Sequence, residues 1–207
     1  VWTFHLREGV KWYDCELNEY ADVTADDFVF GAEWILTPAN ESDNVDTLAN
    51  VIVNAKEYFD GTVTDFAEVG VKALDDHTLQ YTLKDTCPYF LSMMTYVAFM
   101  PANRQFVEEC GEYYGTSNDT LLYNGAYYCT SWEPQNELVM ERNDNYWDAE
   151  NVSIKTVYGK YNAEAEALAP EMYLRGEIDE ATIPVEILDS WMNDPEKQNI
   201  VRPNRPT

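Results

Sequence analysis

The chain has 207 residues, of which 45% are hydrophobic and 14% aromatic, so it can bury the core of one large domain or two small ones. Its 38 acidic and 13 basic side chains give a formal net charge of −25 at pH 7. Nucleic-acid binding needs cationic side chains that release counterions from phosphate, so this balance argues against that class, and an anionic membrane surface would repel the chain as well. A solvated acidic surface is the favoured interpretation, and a cationic partner or ligand is the open alternative.

A strand is predicted at the start of the chain, with Trp2, Phe4 and Leu6 on one face. The next predicted element is a helix that begins after Thr24, because a hydroxyl residue there is followed by acids in the first turn. Apolar residues at helical spacing continue this helix until Pro38, which ends it.

The remaining predicted elements mix helices with hairpins. In chain order they are a helix over 47–59 ended by Gly61, a hairpin with strands over 71–74 and 79–83, short helices over 89–94 and 103–110, strands over 126–132, 137–142 and 154–161, a helix over 166–175 ended by Gly176, and a helix over 184–191. Pro170 falls inside one of these helices and is tolerated there only in a first turn. Because strands and helices do not alternate as βα units, the predicted fold class is α+β.

The sequence gives no support for a catalytic or metal site. The chain has two histidines, and its four cysteines lie far apart without a C-x-x-C motif, at Cys15, Cys87, Cys110 and Cys129. Four cysteines allow three pairings; we expect at most one disulfide, with free buried thiols equally open. Helix caps and turns explain the paired acids better than a hydrolytic carboxylate pair or a calcium loop, and no serine or cysteine has a nucleophile setting.

The ends of the sequence are abrupt. It begins inside the first predicted strand without an initiator methionine, and it ends at Thr207 without a cap or tail. We therefore expect the chain to be a fragment of a longer protein, with its targeting signal elsewhere in that protein.

Seven segments resemble, in the same order, the motifs of one protein family. They are VWTFHLREGVKW (1–12), VTADDFV (23–29), GVKALDDHTL (70–79), PYF (88–90), NGAY (124–127), NYW (145–147) and GEID (176–179). Such collinear matches, spread over about nine tenths of the chain, are far more specific than a single motif. The sequence is similar to the extracellular solute-binding proteins of family 5, the oligopeptide- and dipeptide-binding proteins of ABC importers.

The resemblance implies a periplasmic-binding-protein-like fold of type II, in which two hinged lobes enclose the ligand and an extra domain joins the first lobe. Residues 1–101 resemble most of the extra domain and residues 102–207 the middle of the first lobe, with a boundary near Pro101. The second lobe, which supplies most peptide contacts and the acid that pairs with the peptide's amino end, would lie beyond Thr207.

The implied function is substrate binding and not catalysis. The expected partners are a peptide ligand and the transmembrane permease subunits of an ABC importer, with no nucleic acid, no cofactor and no metal. The resemblance further implies a monomer outside the cytoplasm, in the periplasm or lipid-anchored on the outer face of the cell membrane.

The resemblance also suggests ligand-facing positions. Oligopeptide-binding members often carry a tyrosine shortly after the turn that corresponds to Pro38, and Asn44 is its nearest equivalent here. The chain after the GEID motif runs toward the cleft in the family, which adds Asp179, Glu180, Ala181 and Thr182. These residues are expected to form at most one rim of the site. The chain departs from the family pattern at Cys15 and the insertion over 16–21, and it is about two residues short before Pro184.

Three alternatives remain open from the sequence. Relatives of the same architecture bind other solutes, namely dipeptides, nickel or haem complexes, or oligosaccharides. An acidic carbohydrate-active enzyme would need two carboxylates that face each other across a cleft, and no pattern places such a pair. The chain could also be a structural module with no binding of its own.

Overall fold

The computed structural model describes residues 1–203 and has the mixed helix and sheet content that the sequence predicts. The strands are β1 (Trp2–His5), β2 (Lys11–Tyr13), β3 (Glu19–Asp22), β4 (Val71–Asp75), β5 (Thr78–Tyr81), β6 (Tyr127–Glu133), β7 (Glu137–Arg142) and β8 (Thr156–Lys160). The helices are α1 (Ala25–Leu36), α2 (Val45–Ala49), α3 (Ala55–Phe59), α4 (Phe90–Met93), α5 (Arg104–Cys110), α6 (Ala165–Leu174) and α7 (Val185–Met192). The strands form three sheets, with the orders β1-β5-β4, β2-β3 and β6-β7-β8. No helix in the described part of the chain is both long and apolar enough to cross a membrane.

The chain divides into two compact units, one of residues 1–132 and 139–158 and the other of residues 133–138 with the chain from 159 on. The boundary predicted near Pro101 therefore falls inside the first unit. Helix α1 contacts the segment around this proline, since the N–H of Ala102 donates to the carbonyl of Asp27 at 3.0 Å. The division into two compact units does not test whether residues 1–101 belong to the extra domain and residues 102–207 to the first lobe of a longer protein. That assignment stays a prediction.

The core of the first unit lies between the sheet β1-β5-β4 and the helices that cover it. Strand β1 pairs antiparallel with β5, Trp2 opposite Tyr81, and β5 pairs antiparallel with β4. Beneath the sheet, the rings of Tyr81, Phe90 and Phe99 meet edge to face at 5.6–6.0 Å. Such contacts between buried aromatic rings add to the stabilisation from burial itself, so this cluster anchors the unit.

One predicted helix, over residues 47–59, is wrong. The structure has two short helices there, α2 and α3, because the β-branched residues between them pair with the chain after β5. Val53 donates its N–H to the carbonyl of Thr82 at 3.0 Å, and Ile52 forms a bridge with Leu83. Asn54 then starts α3 from a left-handed conformation, with φ at 59°. A tertiary contact has overridden the local helical pattern.

Pro170 also departs from the expectation, since it is the sixth residue of α6 and not part of the first turn. Its ring is fully buried. Burial of the apolar ring offsets the missing hydrogen-bond donor that makes proline costly inside a helix.

All four cysteines are free thiols in the structure, with Cys129 buried and the other three half-buried. Burial raises the pKa of the thiols of Cys15, Cys110 and Cys129, and the carboxylate of Asp119 adds to the effect at the first two. A raised thiol pKa lowers the fraction of reactive thiolate at neutral pH.

We expect substitution of Gly31 by alanine to destabilise the first unit. A Cβ atom built on Gly31 would lie 2.6 Å from the carbonyl oxygen of Met100, which belongs to the backbone and cannot rotate away. The strain should cost about 1–3 kcal/mol and exceed the gain in helix propensity of about 1 kcal/mol. Urea unfolding measures the difference. Gly125→Ala is the matched control, because a Cβ there meets no atom within 4 Å.

Candidate functional site

The segment between α6 and α7 starts from a fixed helix end. Gly176, just past α6, has a left-handed φ of 72°. Its N–H donates to the carbonyl of Tyr173 and that of Glu177 to the carbonyl of Met172, both at 2.9 Å. This pair of bonds is the Schellman motif, so the end of α6 sets the direction in which the following residues leave the helix.

An open cavity of about 710 Å³ lies in the second unit, against this segment. Its wall is formed by Tyr173 of α6, by residues 179–183, by Leu188, Trp191 and Met192 of α7, and by residues 200–203. One part of the wall is polar and another part is apolar. Asp179 and Glu180 are exposed to solvent, whereas Trp191 is buried with 4% of its surface accessible.

The backbone beside this cavity makes no hydrogen bond within the part of the chain that the structure describes. Among residues 1–203, no hydrogen bond joins the N–H or C=O groups of residues 178–183 to another protein group. Backbone groups are obligatory hydrogen-bonding groups, so those of this segment are available to water or to a ligand. Within residues 1–203, the cavity therefore combines an apolar wall with backbone donors and acceptors that have no partner.

Two further wall residues, Trp191 and Arg202, make contacts with residues close to them in the chain. The ammonium of Lys197 lies 5.1 Å from the ring centroid of Trp191, which is within the range of a cation–π interaction. The Arg202 guanidinium donates to two carbonyls of its own segment, those of Asn199 at 2.8 Å and Val201 at 3.1 Å. These bonds orient the guanidinium, which remains exposed and charged at the cavity wall.

The structure brings together four of the five predicted site residues. Asp179, Glu180, Ala181 and Thr182 all line the cavity. Asn44 belongs to the first unit, where it precedes α2, is half-buried and donates its backbone N–H to Oγ of Ser42 at 3.2 Å. Whether any of these residues contacts a ligand stays a prediction.

Sequence reasoning missed the other half of the wall. The apolar residues of α7 recur at helical spacing, a pattern that could have marked Leu188, Trp191 and Met192 as one face. Residues 200–203 carry no comparable pattern, since their place in the wall depends on how the chain turns after α7.

A second cavity, of about 660 Å³, lies in the first unit, and none of the predicted site residues lines it. Its wall consists of the first two residues of the chain and residues 83–88. In the described part of the chain, no group of three or more His, Cys, Asp or Glu residues is arranged to hold a metal ion.

We expect Gly176→Ala to lower the free energy of unfolding of the second unit by about 1 kcal/mol, because an alanine strains the left-handed conformation of the helix end. Asparagine tolerates this conformation better than alanine, so Gly176→Asn should recover part of the loss. Urea unfolding of the two variants tests the order, and equal losses would contradict the argument from φ.

Comparison with known proteins gives consistent matches over most of the chain. The model for bacterial extracellular solute-binding proteins, family 5 Middle, matches residues 1–207. Oligopeptide-binding protein AmiA of Streptococcus pneumoniae is 38% identical over 159 residues, 76% of the chain and 24% of AmiA. Oligopeptide-binding protein SarA of Streptococcus gordonii is 33% identical over 205 residues, 97% of the chain and 31% of SarA.

A solved structure supports the same assignment. The substrate-binding domain of an oligopeptide ABC transporter from Bacillus anthracis superposes with a TM-score of 0.79 and 32% identity, over 94% of this chain and 36% of that one. The chain thus spans about a quarter to a third of the length of the proteins that it matches.

The family and these relatives are solute-binding proteins rather than enzymes, and the matches confirm the predicted periplasmic-binding-protein-like fold. The chain belongs to the bacterial extracellular solute-binding proteins of family 5.

Proposed function

We propose that the chain is part of an oligopeptide-binding component of an ABC importer, which binds peptides outside the cytoplasm and delivers them to the transmembrane permease subunits. The names of the relatives support this function, since both AmiA and SarA are oligopeptide-binding proteins. The names favour oligopeptides over the other solutes that the sequence left open, namely dipeptides, nickel or haem complexes, and oligosaccharides.

The observation that carries the proposal in this chain is the backbone of residues 178–183 beside the cavity, which has no hydrogen-bond partner among residues 1–203. Main-chain hydrogen bonds hold a peptide without reading most of its side chains, which suits an importer of varied cargo. We propose that Asp179, Glu180, Ala181 and Thr182 form one rim of the site. Asn44, which belongs to the first unit, is a separate proposed ligand contact.

A rim on one side of the peptide requires a second surface to enclose the ligand. A second lobe closes over the peptide, and the ligand shifts the protein toward the closed state only through contacts that the open state lacks. Residues 1–101 then belong to the extra domain and residues 102–207 to the first lobe of a monomer that binds no nucleic acid.

Mass spectrometry of the ligand that co-purifies with the full-length protein is the direct test. The expected result is a mixture of short peptides. Recovery of a sugar or a metal chelate in place of peptides would contradict the proposal.

A variant tests the backbone contacts. Ala181→Pro removes an N–H donor from the rim, whereas Ala181→Ser keeps the donor and adds a single atom. In calorimetry of the full-length protein, the proline variant should lose peptide affinity and the serine variant should keep it. Circular dichroism of both variants checks that the fold is unchanged.

A further inference from the structure

We propose that the cavity of the first unit is an interaction surface for another segment of the same protein, the residues that precede Val1 in the full-length chain. These residues extend β1, pair with Leu83 and fill the cavity. The inference rests on the part of the proposed function that makes the chain a piece of a longer protein, and it does not depend on which ligand that protein binds.

The register of β1 against β5 gives the position of the added residues. The two strands are antiparallel, with Trp2 opposite Tyr81, and the register is constant along their four pairs. Each step toward the start of β1 is therefore matched by one step past the end of β5. By this count, the residue directly before Val1 lies opposite Leu83.

The backbone groups of Leu83 face the edge along which β1 would continue. On one side of Leu83, the N–H of Thr82 donates to the carbonyl of Gly70, which precedes β4, at 2.7 Å. On the other side, the N–H of Lys84 donates to the carbonyl of Val51 at 2.9 Å. Because successive residues of a strand direct their backbone groups to opposite sides, those of Leu83 point toward β1. In the described part of the chain, no hydrogen bond joins them to another protein group.

The cavity lies where the extended strand would run. Its wall consists of Val1, Trp2 and residues 83–88, so it begins at the start of β1 and follows the segment after β5. Leu83 and Cys87 pack, partly buried, against the core of the unit. A volume of about 660 Å³ is within the range of cavities that hold a drug-sized ligand, which leaves room for a few residues of chain.

A separate peptide could add to the same strand edge, since β-augmentation needs only free backbone groups. The protein's own residues are favoured because they are joined to Val1. Their attachment gives them a high effective concentration at Leu83, which a free peptide lacks.

Hydrogen exchange of the full-length protein, resolved to single amides by mass spectrometry, tests the pairing. The amides of Leu83 and of the residue directly before Val1 should both exchange slowly, because they are the two donors of one antiparallel pair. The amide of Lys84, which is bonded to Val51 at 2.9 Å, is the internal reference for a slow amide.

Replacement of the residue directly before Val1 by proline removes the donor that faces the carbonyl of Leu83. The Leu83 amide should then exchange about fivefold faster, as expected when one hydrogen bond is lost, and the Lys84 amide should keep its rate. The Cys87 thiol, which lines the cavity, should react faster with a maleimide in the same variant. Replacement by alanine is the matched control, because alanine keeps the N–H and should change neither rate by more than about twofold.

Two results would overturn the inference. One is a Leu83 amide that exchanges in the full-length protein as fast as an unbonded amide. The other is slow exchange at Leu83 that the proline leaves unchanged, since another segment or a bound peptide would then be its partner. Both results leave the proposed function intact, because peptide binding by the same protein is measured separately by calorimetry.

Discussion

Substitution of Asp27 by alanine is expected to lower the free energy of unfolding of the first unit by about 3 kcal/mol. The side chain of Asp27, a residue only 6% exposed, accepts three hydrogen bonds from N–H donors and a longer one of 3.5 Å from the hydroxyl of Thr24. The N–H donors are the indole N–H of Trp12 at 3.1 Å, the backbone N–H of Thr24 at 2.8 Å and Nδ2 of Asn103 at 3.3 Å. Alanine would leave all three donors without their protein partner. The indole N–H of Trp12 is buried, and a buried unsatisfied donor costs more than the bond itself contributes. Urea unfolding followed by tryptophan fluorescence measures the loss.

Two further variants make this prediction specific. Asp26→Ala is the matched control, because Asp26 is the exposed neighbour in the same helical turn, and it should change stability by less than about 0.5 kcal/mol. Asp27→Asn keeps one acceptor oxygen and the shape of the side chain, so it should cost less than Asp27→Ala. A larger loss for Asp26→Ala than for Asp27→Ala would show that Asp27 does not hold these three segments together.

The stability of the first unit should also depend on pH through Asp27. Burial raises the pKa of Asp27 above its usual value of 3.8, and the hydrogen bonds from Thr24, Trp12 and Asn103 offset only part of this effect. As the pH rises, the unfolded chain releases this proton before the folded one does. The stabilisation from the protonated group is therefore complete below about pH 4 and is lost as the pH rises through the raised pKa. The difference in unfolding free energy between the wild type and Asp27→Asn should fall across this window, and a constant difference from pH 3 to 7 would contradict it.

The sequence predicted best those elements whose signals are local. Helix α1 has its cap at Thr24 and its acids in the first turn, and the structure starts and ends it within one residue of the prediction. The end of α6 follows in the same way from Gly176, because a left-handed residue stops a helix whatever surrounds it.

Long-range pairing could not be predicted in the same way. Nothing in the sequence of β1 indicates that its partner is β5, more than seventy residues later. The strand-like pairing of Ile52 and Val53 with the chain after β5 is a second case, because only the folded sheet offers them partners.

The sequence indicated only one side of the candidate site, because the other side depends on contacts between segments that are distant in the chain. Residues 179–182 follow a recognisable motif, and the structure places them along one cavity. The opposite wall at 200–203 depends on the packing of α7, which places Trp191 in the interior. Local sequence specifies a segment near a motif, whereas the shape of a cavity depends on segments that meet only after folding.

The 207-residue chain by itself is expected to bind short peptides with millimolar affinity or not measurably, even if the full-length protein binds them well. Ligand sites that bind tightly bury most of the ligand surface, whereas the cavity beside residues 179–182 is open and the wall in the second unit supplies one side. If the proposed assignment holds, the acid that pairs with the peptide's amino end would belong to the second lobe, and Asn44 would stand in place of the tyrosine often used against the peptide backbone. One-sided contacts must still offset about 4–15 kcal/mol of lost translational and rotational freedom.

Calorimetry of the isolated chain against a mixed library of tri- to pentapeptides tests this expectation, with the full-length protein titrated in parallel as the positive control. Circular dichroism and tryptophan fluorescence show whether the isolated chain is folded under the same conditions. With a folded chain, a weak or absent signal beside tight binding by the full-length protein would place most of the binding free energy in the second lobe. A micromolar or tighter dissociation constant for the isolated chain would instead mean that the free backbone and the apolar wall of the second unit are sufficient for binding, and that closure by a second lobe is not what makes the complex tight.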